Sequence, residues 1–191
     1  MTVLQPEIHH FDERHFGTMS ELIEAARSGR QDFLLLACSD QSGLPGSISF
    51  ADPDQFVVVQ NLAASVARPG ETDAFLGSIE FAMAVHEIQH IILCGHTCCS
   101  VLANLAQRRS RDLCVCRTLS IVEQHYPQAT DREFFELLVQ EHMLLQLENL
   151  QSHRFISKQL ATGQLSLHAW LVDDQTARVR AFDPEAGQFT Q

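Results

Sequence analysis

The sequence predicts an α/β fold with a mostly parallel central β-sheet flanked by helices. Three observations carry that expectation. Short apolar runs at Phe33–Cys38 (FLLLAC), Phe56–Val59 (FVVV) and His90–Cys94 (HIILC) are bounded by polar residues, as buried strands are. Segments of helical period lie between the last two runs and after them. The order strand, loop, strand, helix, strand, helix is that of a parallel sheet with crossover connections.

Each element has its own signal. Residues 1–17 are polar, carry His9, His10 and His15, and read as an N-terminal arm; residues 18–191 read as one domain. Thr18 is placed to cap a short helix over Met19–Ala26 that ends near Gly29. The stretch Ser39–Asp54 contains Gly43, Pro45, Gly46 and Pro53 and reads as a loop with one short helical turn. Pro69 and Gly70 mark another loop. Thr72 or Asp73 then opens a helix to about Glu87, with Phe75, Ile79, Ala82, Met83 and His86 at helical spacing. A helix over His96–Gln107 follows the third run, Arg108–Asp112 is a charged break, and Cys114–His125 reads as helical. Asp131–Leu150 carries an apolar stripe wider than one core face requires, which fits a subunit interface or a fully buried helix. Leu165–Val172 and Ala177–Phe182, separated by Asp173–Thr176, read as a terminal hairpin or edge strand.

Composition narrows the function. At 191 residues the chain can bury a core without disulfides, so its six cysteines are expected to be reduced thiols, some of them on a metal. The formal charge is −11 and Lys158 is the single lysine, which argues against nucleic-acid binding. No apolar run approaches the ~20 residues of a membrane span, and the acidic, His-bearing N-terminus lacks a signal-peptide layout. The expectation is a cytoplasmic protein with no membrane partner.

The chemistry concentrates in two places. Cys38 ends the first apolar run within Cys38-Ser39-Asp40, and His96 and Cys99 follow the third within Cys94-Gly95-His96-Thr97-Cys98-Cys99. Both clusters fall at strand carboxyl ends, where parallel α/β sheets build ligand sites. Gly95 is read as allowing a sharp exit from the strand, and the His-x-x-Cys spacing as putting two ligands on one helical turn. Singly, a buried cysteine is an ordinary small apolar residue and a lone histidine is structural or exposed. Together they form a Cys₂His set with a fourth position available, which suits catalytic zinc, Zn²⁺. Asp40 is the nearby hydrogen-bond acceptor. Cys98 is expected to point into helix packing, and Cys114-x-Cys116 to pack ordinarily.

These motifs resemble the β-class carbonic anhydrases, whose pattern is Cys-x-Asp-Ser-Arg after one strand and Gly-His-Thr/Ser-x-Cys-Gly after another. The similarity extends through Phe56–Val59 and Asn61 and through Ser78-Ile79-Glu80-Phe81-Ala82. It continues through Glu148-Asn149-Leu150 and Gly163 to Leu167-His168-Ala169-Trp170, and ends at Asp183-Pro184. The resemblance implies a β-carbonic-anhydrase-like fold, a homodimer or dimer of dimers, and reversible hydration of CO₂ to bicarbonate by zinc-bound hydroxide. It implies Cys38, His96 and Cys99 as zinc ligands and gives His168 a structural position. Asp40 matches the family's catalytic aspartate, which an arginine holds off the metal.

The departures cluster at the site. Gln41-Ser42 stands where the family has Ser-Arg, so Ser42 replaces the dyad arginine. The segment before the second strand reads Phe50-Ala51-Asp52-Pro53-Asp54, one residue shorter than the family's. Gln60-Asn61-Leu62-Ala63 replaces Arg-Asn-Ala-Gly, and Ser100 replaces a glycine. An arginine offers an aspartate two charge-assisted bonds, a serine one weaker bond. Asp40 is therefore expected to swing onto zinc as a fourth ligand, closing the resting site, unless Arg68, Arg108, Arg109 or Arg111 restrains it. Reduced or gated carbonic anhydrase activity is the first expectation, hydrolysis of carbonyl sulfide or carbon disulfide being of the same chemical class. A non-catalytic zinc-binding homologue, regulatory or structural, is the alternative.

Overall fold

The structure is a computed structural model that describes residues 3–41, 50–108 and 115–191. Six strands form one sheet: β1 (Phe33–Cys38), β2 (Phe56–Asn61), β3 (His90–His96), β4 (Ser166–Val172), β5 (Val179–Asp183) and β6 (Gln188–Thr190). Their order is β2-β1-β3-β4-β5-β6, with β2, β1, β3 and β4 parallel and the last two pairings antiparallel. The expected hairpin is therefore β4–β5, and β6 extends it. The apolar run FLLLAC is buried at every position because helices cover both sheet faces. Period-two alternation divides it: Leu34, Leu36 and Cys38 face one core layer with Ile91 and Leu93, while Phe33, Leu35 and Ala37 face the other with Ile92 and Cys94.

The helices are α1 (Met19–Arg27), α2 (Ala74–Val85), α3 (Ser100–Arg108), α4 (Val115–His125), α5 (Asp131–Ser152) and α6 (Arg154–Ala161). Thr18 caps α1 in a capping box with Glu21, Asp73 caps α2, and Thr130 caps α5 in a box with Glu133. α1 lies on the side of Phe33 and Leu35; α2, α3, α5 and α6 lie on the side of Cys38. The wide stripe of α5 is that of a fully buried helix: the run Leu137–Leu147 is buried throughout, polar Gln140, Glu141, His142 and Gln146 included. α6 carries an ordinary amphipathic pattern, burying Ile156 and Leu160, that the sequence reading passed over. Of the loop expected over Ser39–Asp54, the helical turn falls at Pro53–Gln55; Ser42, Gly43, Pro45 and Gly46 lie outside the described residues.

The segment expected as a polar arm packs on the body from Leu4 onward. Leu4 is buried and exchanges two backbone bonds with the Gln188 amide, 2.9 and 2.8 Å. Phe11 meets Phe182 edge-on, Phe16 lies tilted against it, and Phe16 bridges to Leu167 of β4. His9, expected in a solvated segment, sits between Glu141 (2.7 Å) and Glu148 (3.0 Å) of α5. Three aromatic rings and a buried ion pair outweigh the polar composition. No helix among the described residues is long and apolar enough to cross a membrane.

Candidate metal centre

Cys38 is the last residue of β1 and His96 the last of β3, so the parallel sheet brings both to one edge. Asp40 lies in the turn after β1, and Cys99 immediately precedes α3. One donor atom from each of Cys38, Asp40, His96 and Cys99 lies within 4.8 Å of all the others. The two sulfurs are 3.8 Å apart. Two sulfurs at tetrahedral corners, each about 2.3 Å from a zinc ion, would be separated by about 3.8 Å. The donor set therefore fits zinc by softness and by spacing.

His96 supplies the sharpest sign that these residues suit a cation. Its Nδ1 donates to Asp174 Oδ2 at 3.0 Å, while its Nε2 is buried with no hydrogen-bond partner. Fixing the proton on Nδ1 leaves the Nε2 lone pair free for a metal, the arrangement that a carboxylate behind a ligating histidine provides. Asp174 Oδ2 also accepts from Cys98 N at 2.6 Å, and Asp174 N donates to Thr97 Oγ1 at 3.1 Å. The β4–β5 turn is thereby locked to the loop between His96 and Cys99. Burial disfavours a charged His96 ring, but Cys38 and Asp174 outweigh it and raise its pKa.

Backbone amides point at both sulfurs. Asp40 N and Ala63 N donate to Cys38 Sγ at 3.4 and 3.3 Å, and Leu102 N to Cys99 Sγ at 3.5 Å. The hydrogen bond from Cys99, with help from His96 and these amides, lowers Cys38 to about 4 against the opposing effect of burial. Cys99 moves up, because it shares its proton with Cys38 and is itself desolvated. A divalent cation would reverse that second shift and hold both as thiolates.

The loop carrying the Ala63 amide is held from α5. Ala63 and Ala64 adopt φ of 60° and 50°, the left-handed region, and Ala63 stands where the resembling family has glycine. His142 Nε2 donates to Ala63 O at 3.0 Å; burial pushes this ring down to about 4, so it is neutral. Gln146 Nε2 donates to His142 Nδ1 at 3.4 Å, and Gln146 Oε1 accepts from Val66 N at 2.9 Å. These polar groups sit inside an otherwise apolar core because each has a partner on the loop or the helix. Beside the donors is an apolar cavity of about 10 Å³, lined by Ala63, Leu93, Leu102, Val139 and Met143. It holds about one water-sized molecule.

Asp40 is exposed, and its Oδ2 accepts from Ser100 N at 2.7 Å, at the amino end of α3. That amide, then the Ser100 hydroxyl, lowers the Asp40 pKa. Arg68 binds Glu71 at 2.6 and 3.1 Å, and Arg109 and Arg111 lie outside the described residues, as does the Arg108 side chain.

Three local expectations are corrected. β3 continues to His96, so Gly95 makes no sharp exit; a side chain there would collide with Met143 Sδ at 2.5 Å, and close helix packing is what requires glycine. His96 ends a strand and Cys99 precedes a helix, so the two do not share a helical turn. Cys98 is exposed instead of packed, because its backbone is drawn to Asp174. Elsewhere, His168 is buried against His90 at 3.2 Å, as a structural histidine. His10 is exposed, and His15 Nδ1 contacts Gln151 at 3.1 Å. Cys116 is half-buried on α4, and Cys114 lies outside the described residues. Asp174 and His142 escaped the sequence reading. Asp173-Asp174 reads as turn chemistry, and His142 disappears into the apolar stripe of α5.

A family model described as carbonic anhydrase matches residues 33–179. A carbonic anhydrase of Pseudomonas aeruginosa is 27% identical over 171 residues, covering 82% of this chain and 75% of that protein. One from a Synechocystis strain is 27% identical over 188 residues, covering 92% and 69%. Among solved structures, the β-carbonic anhydrase CcaA superposes with a TM-score of 0.74 at 27% identity, covering 90% of this chain and 89% of that one.

Proposed function

Because the chain belongs to the carbonic anhydrase family, in its β class, we propose that it is a zinc enzyme that reversibly hydrates CO₂ to bicarbonate, with activity gated at Asp40. The observation that carries this reading is the buried, unpartnered Nε2 of His96 beside two sulfurs 3.8 Å apart. Cys38, His96 and Cys99 would hold the ion, with Asp40 as a fourth ligand in a closed state. Zinc bound there would supply a Lewis acid that brings the ionisation of water towards neutral pH.

The chain's own residues divide the remaining work. Asp174 holds the His96 ring in one tautomer, and the Ala63 and Leu102 amides stabilise negative sulfur. The small cavity beside the donors is lined mainly by apolar side chains, which suits an uncharged substrate of low polarity. Asp40, held by the Ser100 amide through Oδ2, keeps Oδ1 to accept a proton from water. With Ser42 in place of the family's arginine, that amide is a weaker restraint than a bidentate guanidinium. Asp40 would therefore be free to join Cys38, His96 and Cys99 in holding the ion, and turnover is expected to be slower than with the arginine.

We also infer assembly as a homodimer or dimer of dimers in the cytoplasm. Among the described residues β2 has no strand neighbour on its outer side, and its exposed Val58, together with exposed Leu62, Phe81 and Val85, supports a protein partner there.

The test is stopped-flow CO₂ hydration by zinc-loaded protein across about pH 6–9, with Cys38→Ala as the control and zinc content measured on both. A rate above the control and lost in Asp40→Asn is expected. A wild-type rate equal to the control would select the non-catalytic zinc homologue.

A further inference from the structure

The buried helix α5 carries polar side chains that reach out of it to a single stretch of backbone. His142, Gln146 and Asn149 are each 2% exposed or less and share one face of the helix. With His153, just past the helix, all of them bond the main chain of residues 63–67. His142 Nε2 donates to Ala63 O at 3.0 Å, and Gln146 Oε1 accepts from Val66 N at 2.9 Å. Asn149 Nδ2 donates to Val66 O at 3.2 Å, and His153 Nε2 to Ala67 O at 2.8 Å. From the other side, Asn61 exchanges two bonds with the Ser65 backbone, at 2.7 and 2.8 Å.

Satisfying buried backbone groups would by itself account for such a stripe, but the segment is also strained. Ala63 and Ala64 lie in the left-handed region, which a side chain disfavours, and strain of this kind persists only where the surroundings impose it. Ala63 is also the residue whose N–H meets Cys38 Sγ at 3.3 Å. His142 therefore grips the carbonyl of the residue whose amide faces a metal-ligand sulfur. The two backbone torsions of Ala63 set where its amide points relative to its carbonyl, so a fixed carbonyl aims the N–H. The ring is oriented for this: Thr118 Oγ1 and Gln146 Nε2 face its Nδ1 at 3.3 and 3.4 Å, which leaves the proton on Nε2.

On the zinc reading above, we propose that His142 is a positioning residue for the metal centre: through the Ala63 peptide it keeps a backbone N–H on Cys38 Sγ and so tunes that sulfur as a ligand. An N–H aimed at a thiolate offsets part of its negative charge and lowers the energy of its lone pairs. Losing it alters the metal–sulfur bond as well as the packing.

The test uses Co²⁺-loaded protein, whose sulfur-to-cobalt charge-transfer absorption reports on the sulfur directly. His142→Leu keeps an apolar bulk and removes the donor. The absorption should move to longer wavelength, and Co²⁺ affinity, measured by competition with a chelator, should fall about tenfold. His142→Gln retains an N–H of similar reach and should restore both. Ala63→Gly added to His142→Leu should recover part of the shift, because glycine adopts the left-handed conformation without a restraint. A lowered melting temperature with unmoved absorption would mean that His142 only supports the fold, and would overturn the proposal. If His142→Leu does not fold, Gln146→Met carries the test, since it keeps the volume, leaves the ring its Thr118 contact and strips the Val66 bond. A smaller shift in the same direction is then expected, and no shift overturns the proposal. Wild-type protein that takes up no Co²⁺ would overturn the zinc reading and the role of His142 together; uptake with the same absorption in every variant overturns the role of His142 alone.

Discussion

The Ser100 amide donates to Asp40 Oδ2 at 2.7 Å, so the first backbone N–H of α3 is a donor to the carboxylate that the resembling family pairs with an arginine. Proline is tolerated at the first position of a helix, so Ser100→Pro deletes this donor while sparing the helix. With Asp40 released, CO₂ hydration should fall roughly tenfold, the low end for a charge-assisted bond because Asp40 is exposed and screened. Zinc content should not change. An unaltered rate would mean that the amide does not position Asp40.

Asp174 acts through His96. Asp174→Ala frees the ring to rotate and removes the acceptor that fixes its tautomer. Metal affinity, measured by competition with a chromogenic chelator, should drop about 10–100-fold with the fold intact by circular dichroism. Chelating the metal from the wild type should raise thiol reactivity at Cys38 and Cys99 together, since both sulfurs would lose the same ion.

Gly95 and Met143 form a packing pair. An added methyl at residue 95 would lie 2.5 Å from Met143 Sδ and 2.9 Å from its Cγ. Gly95→Ala should destabilise by about 1–3 kcal/mol in urea denaturation. Combined with Met143→Ala, the loss should be less than the sum of the two single losses, because the smaller side chain vacates the space.

His9 links the N-terminal segment to α5. Burial alone would lower its pKa, but hydrogen bonds and charge from Glu141 and Glu148 raise it to about 9 from an unfolded value of 6.5. A raised pKa makes the contribution full below pH 6.5, and it disappears as pH rises through about 9. That contribution amounts to about 3 kcal/mol. Stability measured on zinc-loaded protein should decline over this window, and His9→Gln should flatten the decline. Equal slopes in wild type and variant would assign the pH dependence to other groups.

How much was legible in the residue order follows from the range of each interaction. Strands β1 and β3 announced themselves because six or seven consecutive residues carry the whole signal, and a strand buried on both faces needs only an apolar run. β2, also expected as a buried strand from Phe56–Val59, lies at the end of the sheet order with only Phe56 buried, because β-branched residues suit an edge strand as well as a buried one. Cys38, Asp40, His96 and Cys99 stood out because metal-binding side chains are scarce and sit at strand ends. α6 and β6 were missed for lack of length, and the folded-back N-terminus because its anchors, Glu141 and Glu148, are 132 and 139 residues away.

By itself, then, the sequence determined the parallel core, the edge at which chemistry gathers and the side chains that gather there. Only the tertiary structure decided what steers them. Asp40 is held by an amide 60 residues away, His96 by a carboxylate at a separation of 78, and the strained Ala63 carbonyl by a histidine at 79. Hydrogen bonds depend on direction and on distances of about 3 Å, and neither residue type nor local periodicity encodes which distant loop will present its donor. Apolar burial has no direction, so a local pattern can specify it; orientation at a site becomes fixed only once the chain has closed on itself.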